Sequence, residues 1–116
     1  MRLPGADRAH VDRRKIADYL LSANHPVGRH KARFFRAVGF SPAEADQLTD
    51  ALLWIAHHGI VSGRVVTPFG TRYIVDGVVE TPSGARAALR TVWVVPAGAG
   101  RPEFVTAFPR RQGRKG

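Results

Sequence analysis

The hydrophobic period of the chain changes at Gly59, and that change restricts the fold more than any other feature. Before Gly59, apolar residues recur at helical spacing; after it they alternate. The helix that ends there is the clearest in the sequence. Ser41-Pro42-Ala43-Glu44 combines a capping box with a proline at the first helical position. Ala45, Leu48, Leu52, Ile55 and Ala56 then form one apolar face, and Gly59 stops the helix. His57 and His58 fall in the last turn, where the helix dipole favours them, so they read as structural.

After Gly59 the pattern predicts strands over Ile60 to Thr67, Thr71 to Val79, Arg86 to Val95 and Glu103 to Phe108, with a bulge at Gly63. Pro68-Phe69-Gly70, Thr81-Pro82-Ser83-Gly84 and the loop Pro96 to Pro102 join them. Connections this short make neighbouring strands antiparallel. Upstream, Asp12 caps a first helix from Arg13 to about Leu21, stapled by Val11 and Ile16, with Ile16, Tyr19 and Leu20 as its buried stripe. Arg13, Arg14 and Lys15 crowd its first turn against the helix dipole, which hints at an anion nearby. A further helix runs from Gly28 to Val38 and leaves at Gly39. The expected fold class is therefore α+β: three N-terminal helices packed on one face of a four-stranded antiparallel meander. Residues 1–11 read as a flexible leader, 12–109 as one domain and 110–116 as a disordered basic tail.

Charge narrows the partners. The 116 residues carry 18 Lys and Arg against 9 Asp and Glu, a formal net charge of +9. That balance suits a nucleic acid, an anionic membrane surface or an acidic protein, or else only a solvated basic surface. There is no cysteine, which excludes disulfides and thiolate chemistry and permits a reducing compartment. Met1 to His10 lacks the apolar core of a secretory signal, and the apolar run Ala51 to Ala56 is too short to span a bilayer. A cytoplasmic location without membrane contact is expected. The five histidines show no metal-ligand spacing, and phosphate-loop and serine-hydrolase fingerprints are absent, so no metal or other cofactor is expected.

The chemistry-bearing stretch is His25-Pro26-Val27-Gly28-Arg29-His30-Lys31-Ala32-Arg33-Phe34-Phe35. Pro26 makes its first part a loop. On the helix that follows, Arg29, Arg33 and Arg36 share one face, while Lys31, Phe34, Phe35 and Val38 share the other. A lysine on an apolar stripe either snorkels from the core rim or points into a cleft with a partner. On the strands, Arg72 lies opposite Thr71 and Tyr73, and Arg90 opposite Thr91 and Trp93. One sheet face covers the helices and the other can form a cleft; alternation alone does not say which. Arg72 and Arg90 read equally as solvated strand charges, and Tyr73 and Trp93 as core. Metal-free RNA cleavage needs a base for the 2′-hydroxyl, an acid for the leaving oxygen and cations around the phosphate, and His, Lys and Arg can fill those roles.

Asp18-Tyr19-Leu20-Leu21, the stretch His25 to Phe35, Phe69-Gly70-Thr71-Arg72-Tyr73, Arg90-Thr91-Val92-Trp93 and Val105-Thr106-Ala107-Phe108-Pro109 together resemble a family of short bacterial proteins catalogued by a domain of unknown function, some loosely described as adhesins. The resemblance spans about residues 12–109. More distantly, helices followed by a four-stranded antiparallel sheet ending in Val-Thr-Ala-(aromatic)-Pro look like the barnase–EndoU–colicin–RelE superfamily of ribonuclease toxins. That resemblance implies a metal-independent endoribonuclease, neutralised by an acidic antitoxin or immunity protein encoded beside it. Its His-Pro…Lys-Ala motif falls on His25, Pro26, Lys31 and Ala32, its Thr-x-Trp on Thr91 and Trp93, and its late threonine on Thr106. Phe108 stands where a tyrosine is expected. The implied acid–base residues are His25 and Lys31, with Arg72, Thr91 and Thr106 as phosphate contacts. Arg29, His30, Arg33, Arg36, Arg90, Trp93, Arg110 and Arg111 are the expected RNA-binding set. A non-catalytic nucleic-acid-binding module, or a protein that binds an acidic partner, is the alternative.

Overall fold

The computed structural model describes residues 1–16, 29–98 and 100–110. Helix α1 covers Arg13–Lys15, α2 Arg29–Ala37 and α3 Ala45–His58. Strands β1 (Ile60–Thr67), β2 (Gly70–Glu80), β3 (Arg86–Pro96) and β4 (Glu103–Pro109) follow and pair antiparallel in the order β1-β2-β3-β4. The fold is α+β with an open antiparallel meander, and residues 60–96 hold strands and turns but no helix. The remainder of the expected first helix, beyond Ile16, lies outside the described residues.

The local signals act largely as their chemistry requires. Asp12 Oδ1 accepts from the Arg14 N–H at 2.9 Å, and both staple residues, Val11 and Ile16, are buried. The surplus cations of that turn find their anion within the chain: Arg13 meets Asp46 of α3 at 2.9 Å, across an exposed surface. Gly39 leaves α2 with φ +101°, and the Phe40 N–H reaches back to the Phe35 carbonyl at 2.8 Å. The capping box forms only in part. Pro42–Glu44 is a 3-10 turn, the Glu44 carboxylate accepts from the Ser41 N–H at 3.3 Å, and α3 begins at Ala45.

Leu48, Leu52, Ile55 and Ala56 of α3 are fully buried against β2. Each of the larger three contributes ~1.5–3 kcal/mol relative to exposure, and Leu52→Ala would cost ~2–5 kcal/mol. The approach is close because β2 has no side chain at Gly77: a Cβ there would sit 2.9 Å from Ile55. Gly59 ends α3 for a related reason. Its φ of −73° needs no glycine, but a Cβ would meet the carbonyls of Ile55 and Asp76 at 2.6 and 2.7 Å.

The register divides the sheet into two faces. Tyr73, Trp93 and Phe104 lie side by side on the inner face, as do Val75, Thr91 and Ala107, and all six are buried. The outer face carries Arg72, Ile74, Asp76 and Val78 from β2, Arg90, Val92 and Val94 from β3, and Thr106 and Phe108 from β4. Apart from Asp76, these residues keep part or most of their solvent exposure.

Residues 1–11 are built into the domain rather than forming a free leader. Leu3 is buried, Met1 accepts from the Val61 N–H on the β1 edge, and His10 forms an isolated parallel bridge with Glu103. The His10 ring also meets the Glu103 carboxylate at 2.9 Å. Burial alone would raise the Glu103 pKa, but hydrogen bonds from His10 and Arg101 outweigh it and hold the carboxyl below its ordinary value.

Candidate functional site

Polar side chains converge where β2 and β3 cross the middle of the outer face. Asp76 and Arg90 are directly opposed, and Arg90 grips the carboxylate with two hydrogen bonds, Nε to Oδ1 and NH2 to Oδ2, each 2.9 Å. Arg110 approaches Oδ2 to 3.5 Å, held there because its backbone N–H donates to the Ala88 carbonyl at 2.8 Å. Ser62 stands beside the carboxylate and favours its ionised form. It reaches Asp76 because it is the extra residue of a bulge between Val61 and Gly63. The Arg90 hydrogen bonds hold the Asp76 carboxyl below its ordinary pKa against the opposing effect of burial, with Ser62 and the charge of Arg110 helping. Asp76 is thus a fixed anion that orients two arginines at a solvent-facing surface.

One row along, Thr106 stands opposite Val92, and a row beyond that Arg72 stands opposite Val94. Arg72 and Arg90 are therefore roughly 13 Å apart along the strands. A cavity of about 600 Å³ opens beside the cluster, lined among others by Trp54, His58, Ser62, Asp76, Arg86 and Arg110.

The expected site residues separate by face. Arg72, Arg90, Thr106 and Arg110 share the outer surface. Thr91 and Trp93 do not. Both are fully buried, and their polar atoms serve each other: the Thr91 hydroxyl donates to the Val75 carbonyl at 2.8 Å and accepts from the Trp93 indole at 2.7 Å. Neither offers an atom to a phosphate or a base in this structure. Their inward strand positions account for this, since odd residues of β3 from Ala87 to Trp93 face the core and the even ones between them keep part of their exposure. Arg110, expected to open a disordered tail, is instead anchored at the end of β4. Arg33 and Arg36 are exposed on α2, while Phe35 of the same helix is fully buried. His25 and Arg111 lie outside the described residues, as do the side chains of Arg29, His30 and Lys31.

Asp76, Ser62, Arg86, Trp54 and His58 are the residues that sequence reasoning missed. The signal for Asp76 was hairpin register, and for Ser62 the bulge. Among the described residues, no group of three or more His, Asp or Glu could hold a metal ion, and no helix is long and apolar enough to cross a membrane.

Residues 2–111 match the model of a domain of unknown function, DUF6883. The chain belongs to that family. No curated protein matches it. Among solved structures it is similar to a chain of a contact-dependent growth inhibition toxin–immunity protein complex from Klebsiella pneumoniae 342, with a TM-score of 0.72 and 18% identity. The alignment covers 86% of this chain and 98% of that one. At that identity the likeness is one of fold.

Proposed function

We propose that this chain is a toxin-type domain of a bacterial conflict system that acts in the cytoplasm, cleaves RNA without a metal, and is neutralised by an acidic immunity partner. The observation that carries the reading is the gathering of Arg90 and Arg110 on an ionised Asp76, with Thr106 and Arg72 farther along the same solvent face of the sheet. Two cations on one carboxylate, with Arg72 farther along the same face, leave a positive surface where a phosphodiester can sit. The fold shared with a chain of a toxin–immunity complex supports a toxin over other basic binding modules. The more distant likeness to the barnase–EndoU–colicin–RelE superfamily belongs to the same proposal.

In this reading the RNA 2′-hydroxyl attacks its neighbouring phosphorus. The 2′-oxygen–phosphorus bond forms and the phosphorus–5′-oxygen bond breaks. A base takes the 2′ proton and an acid returns one to the 5′ oxygen. His25 and Lys31 are the proposed acid–base pair, with Lys31 suited to stabilising the phosphate charge. Arg72 and Thr106 contact phosphates, and Arg33 and Arg36 add exposed cations on α2. Thr91 leaves this set because its hydroxyl is committed to the core.

The test is digestion of total bacterial RNA by the purified chain in excess chelator. Cleavage by the wild type, lost in His25→Ala and reduced at least tenfold in Arg72→Ala, is the expected result. Binding without cleavage selects a non-catalytic nucleic-acid module. Absence of both, with tight capture of an acidic protein, selects the partner-binding alternative.

A further inference from the structure

Trp54 and Trp93 are the two tryptophans of the chain, and they live in opposite environments. Trp93 is completely buried, whereas Trp54 is 48% exposed on the last turns of α3. The opposite face of that helix fills the core, so Trp54 faces away from it. His58 follows one turn later on the same stripe, with its ring 4.8 Å from the Trp54 ring. Both rings line the cavity that holds Ser62, Asp76 and Arg110. A second cavity, of about 590 Å³, continues past Trp54 along β2 and shares Trp54, Val78 and Arg86 with the first. Together they form a trough with an aromatic wall on α3 and a charged floor on the sheet.

We propose that this trough is a binding site for one nucleotide of single-stranded RNA, with the base stacked on Trp54 and its phosphate held by Arg110 and Arg86. The proposal deepens the RNA reading above and rests on it. Two features orient the ligand. In the first cavity two arginines, Arg86 and Arg110, stand against one carboxylate, Asp76, which Arg90 also neutralises, so the phosphate belongs there. Asp50 and Glu80 stand in the second cavity and repel a phosphate, while a neutral base tolerates them. Trp54 lies between the two, where stacking is sequence-tolerant because every base offers a π-face. Val78, itself 43% exposed, supplies apolar surface beside it. His58 meets the sugar end of such a nucleotide.

The test uses the full chain and a short oligoribonucleotide made uncleavable by 2′-O-methyl groups. Binding is expected to quench tryptophan emission saturably, because Trp54 is accessible and Trp93 is shielded. Trp54→Ala is expected to weaken binding roughly 5- to 150-fold, the range for loss of one stacked base, and Trp54→Phe to restore most of it. Arg110→Gln and Arg86→Gln should each flatten the dependence of log K on log salt by about 0.7. Unchanged Trp93 emission in Trp54→Ala verifies that the fold survives. If the wild type cleaves and binds RNA but Trp54→Ala binds equally well, the trough assignment is overturned and the RNA reading stands. If the wild type neither binds nor cleaves RNA, both fall. Quenching by an acidic peptide and not by the oligonucleotide overturns the assignment in favour of a protein ligand.

Discussion

Replacing Asp76 with asparagine removes one charge and little volume, and it tests the centre of the outer face directly. Asp76 is 9% exposed and Arg90 35%. Breaking a buried ion pair by removing one partner costs ~3–5 kcal/mol, whereas a surface pair contributes at most ~1 kcal/mol. With the carboxylate buried and the guanidinium about a third exposed, the expected loss lies between those limits, at ~2–3 kcal/mol. For a domain of this size that lowers Tm by roughly 8–15 °C. Urea denaturation at pH 7 should show a lower midpoint with the same slope. The pH dependence has a definite sign. Asp76 titrates lower in the folded state than in the unfolded chain, so its stabilisation is complete above the unfolded carboxyl pKa of ~3.9 and is lost as pH falls through the lower folded value. The difference between wild type and Asp76→Asn should therefore be constant above about pH 5 and close below about pH 4. A loss under ~0.5 kcal/mol at pH 7 would show the pair to be a surface pair in energetic terms. A difference that persisted unchanged into acid would assign the effect to asparagine's shape rather than to charge.

Three further outcomes follow from the same geometry. Thr91→Val leaves the buried Trp93 indole N–H without its acceptor and should cost ~1–3 kcal/mol by urea titration, without altering the outer face. Gly59→Ala forces a methyl against two carbonyls under 3 Å away and should cost ~1–3 kcal/mol, seen as a lower Tm. Should the cations of α2, the outer face and the tail neutralise about six phosphates, log K for single-stranded RNA falls with log salt at a slope of roughly −4; affinity indifferent to salt would refute a phosphate-dominated interface.

Much of the fold was legible because it rests on period and punctuation. The switch at Gly59, the bulge beside Gly63 and four strands placed within about a residue of their observed ends all come from alternation and turn chemistry. Val11 was legible as a staple, but Leu3 has no period to declare it, and the backbone bonds of Met1 to β1 and of His10 to β4 that build residues 1–11 into the domain are long-range. The site was less legible for a sharper reason. A four-residue turn over 81–84 sets Asp76 opposite Leu89, on the wrong face for any ion pair. The observed loop closes Thr81 on Ala85 and sets Asp76 opposite Arg90. One residue of register thus decides whether an acid lies among arginines or against the core.

That dependence also explains how one hairpin serves both stability and surface chemistry. Inward residues of β2 pack on α3 and those of β3 form the Thr91–Trp93 pair, while their immediate neighbours display Arg72, Asp76 and Arg90. Moving a charge across the pleat is not available to single substitution, so the two roles remain separable: Thr91→Val should weaken the fold and spare the surface, and Arg72→Ala should do the reverse. The Ser62 bulge and the Gly77 contact with Ile55 then act on the same strand from opposite sides. One brings a hydroxyl to Asp76; the other lets α3 lie close enough that Trp54 and His58 border the cavity containing it. The glycine in the core contact is therefore also a positioning element for the outer site. A Gly77→Ala variant that pushed α3 outward would separate those rings from Arg110, and oligonucleotide quenching of Trp54 would report it even where urea titration found a stable fold.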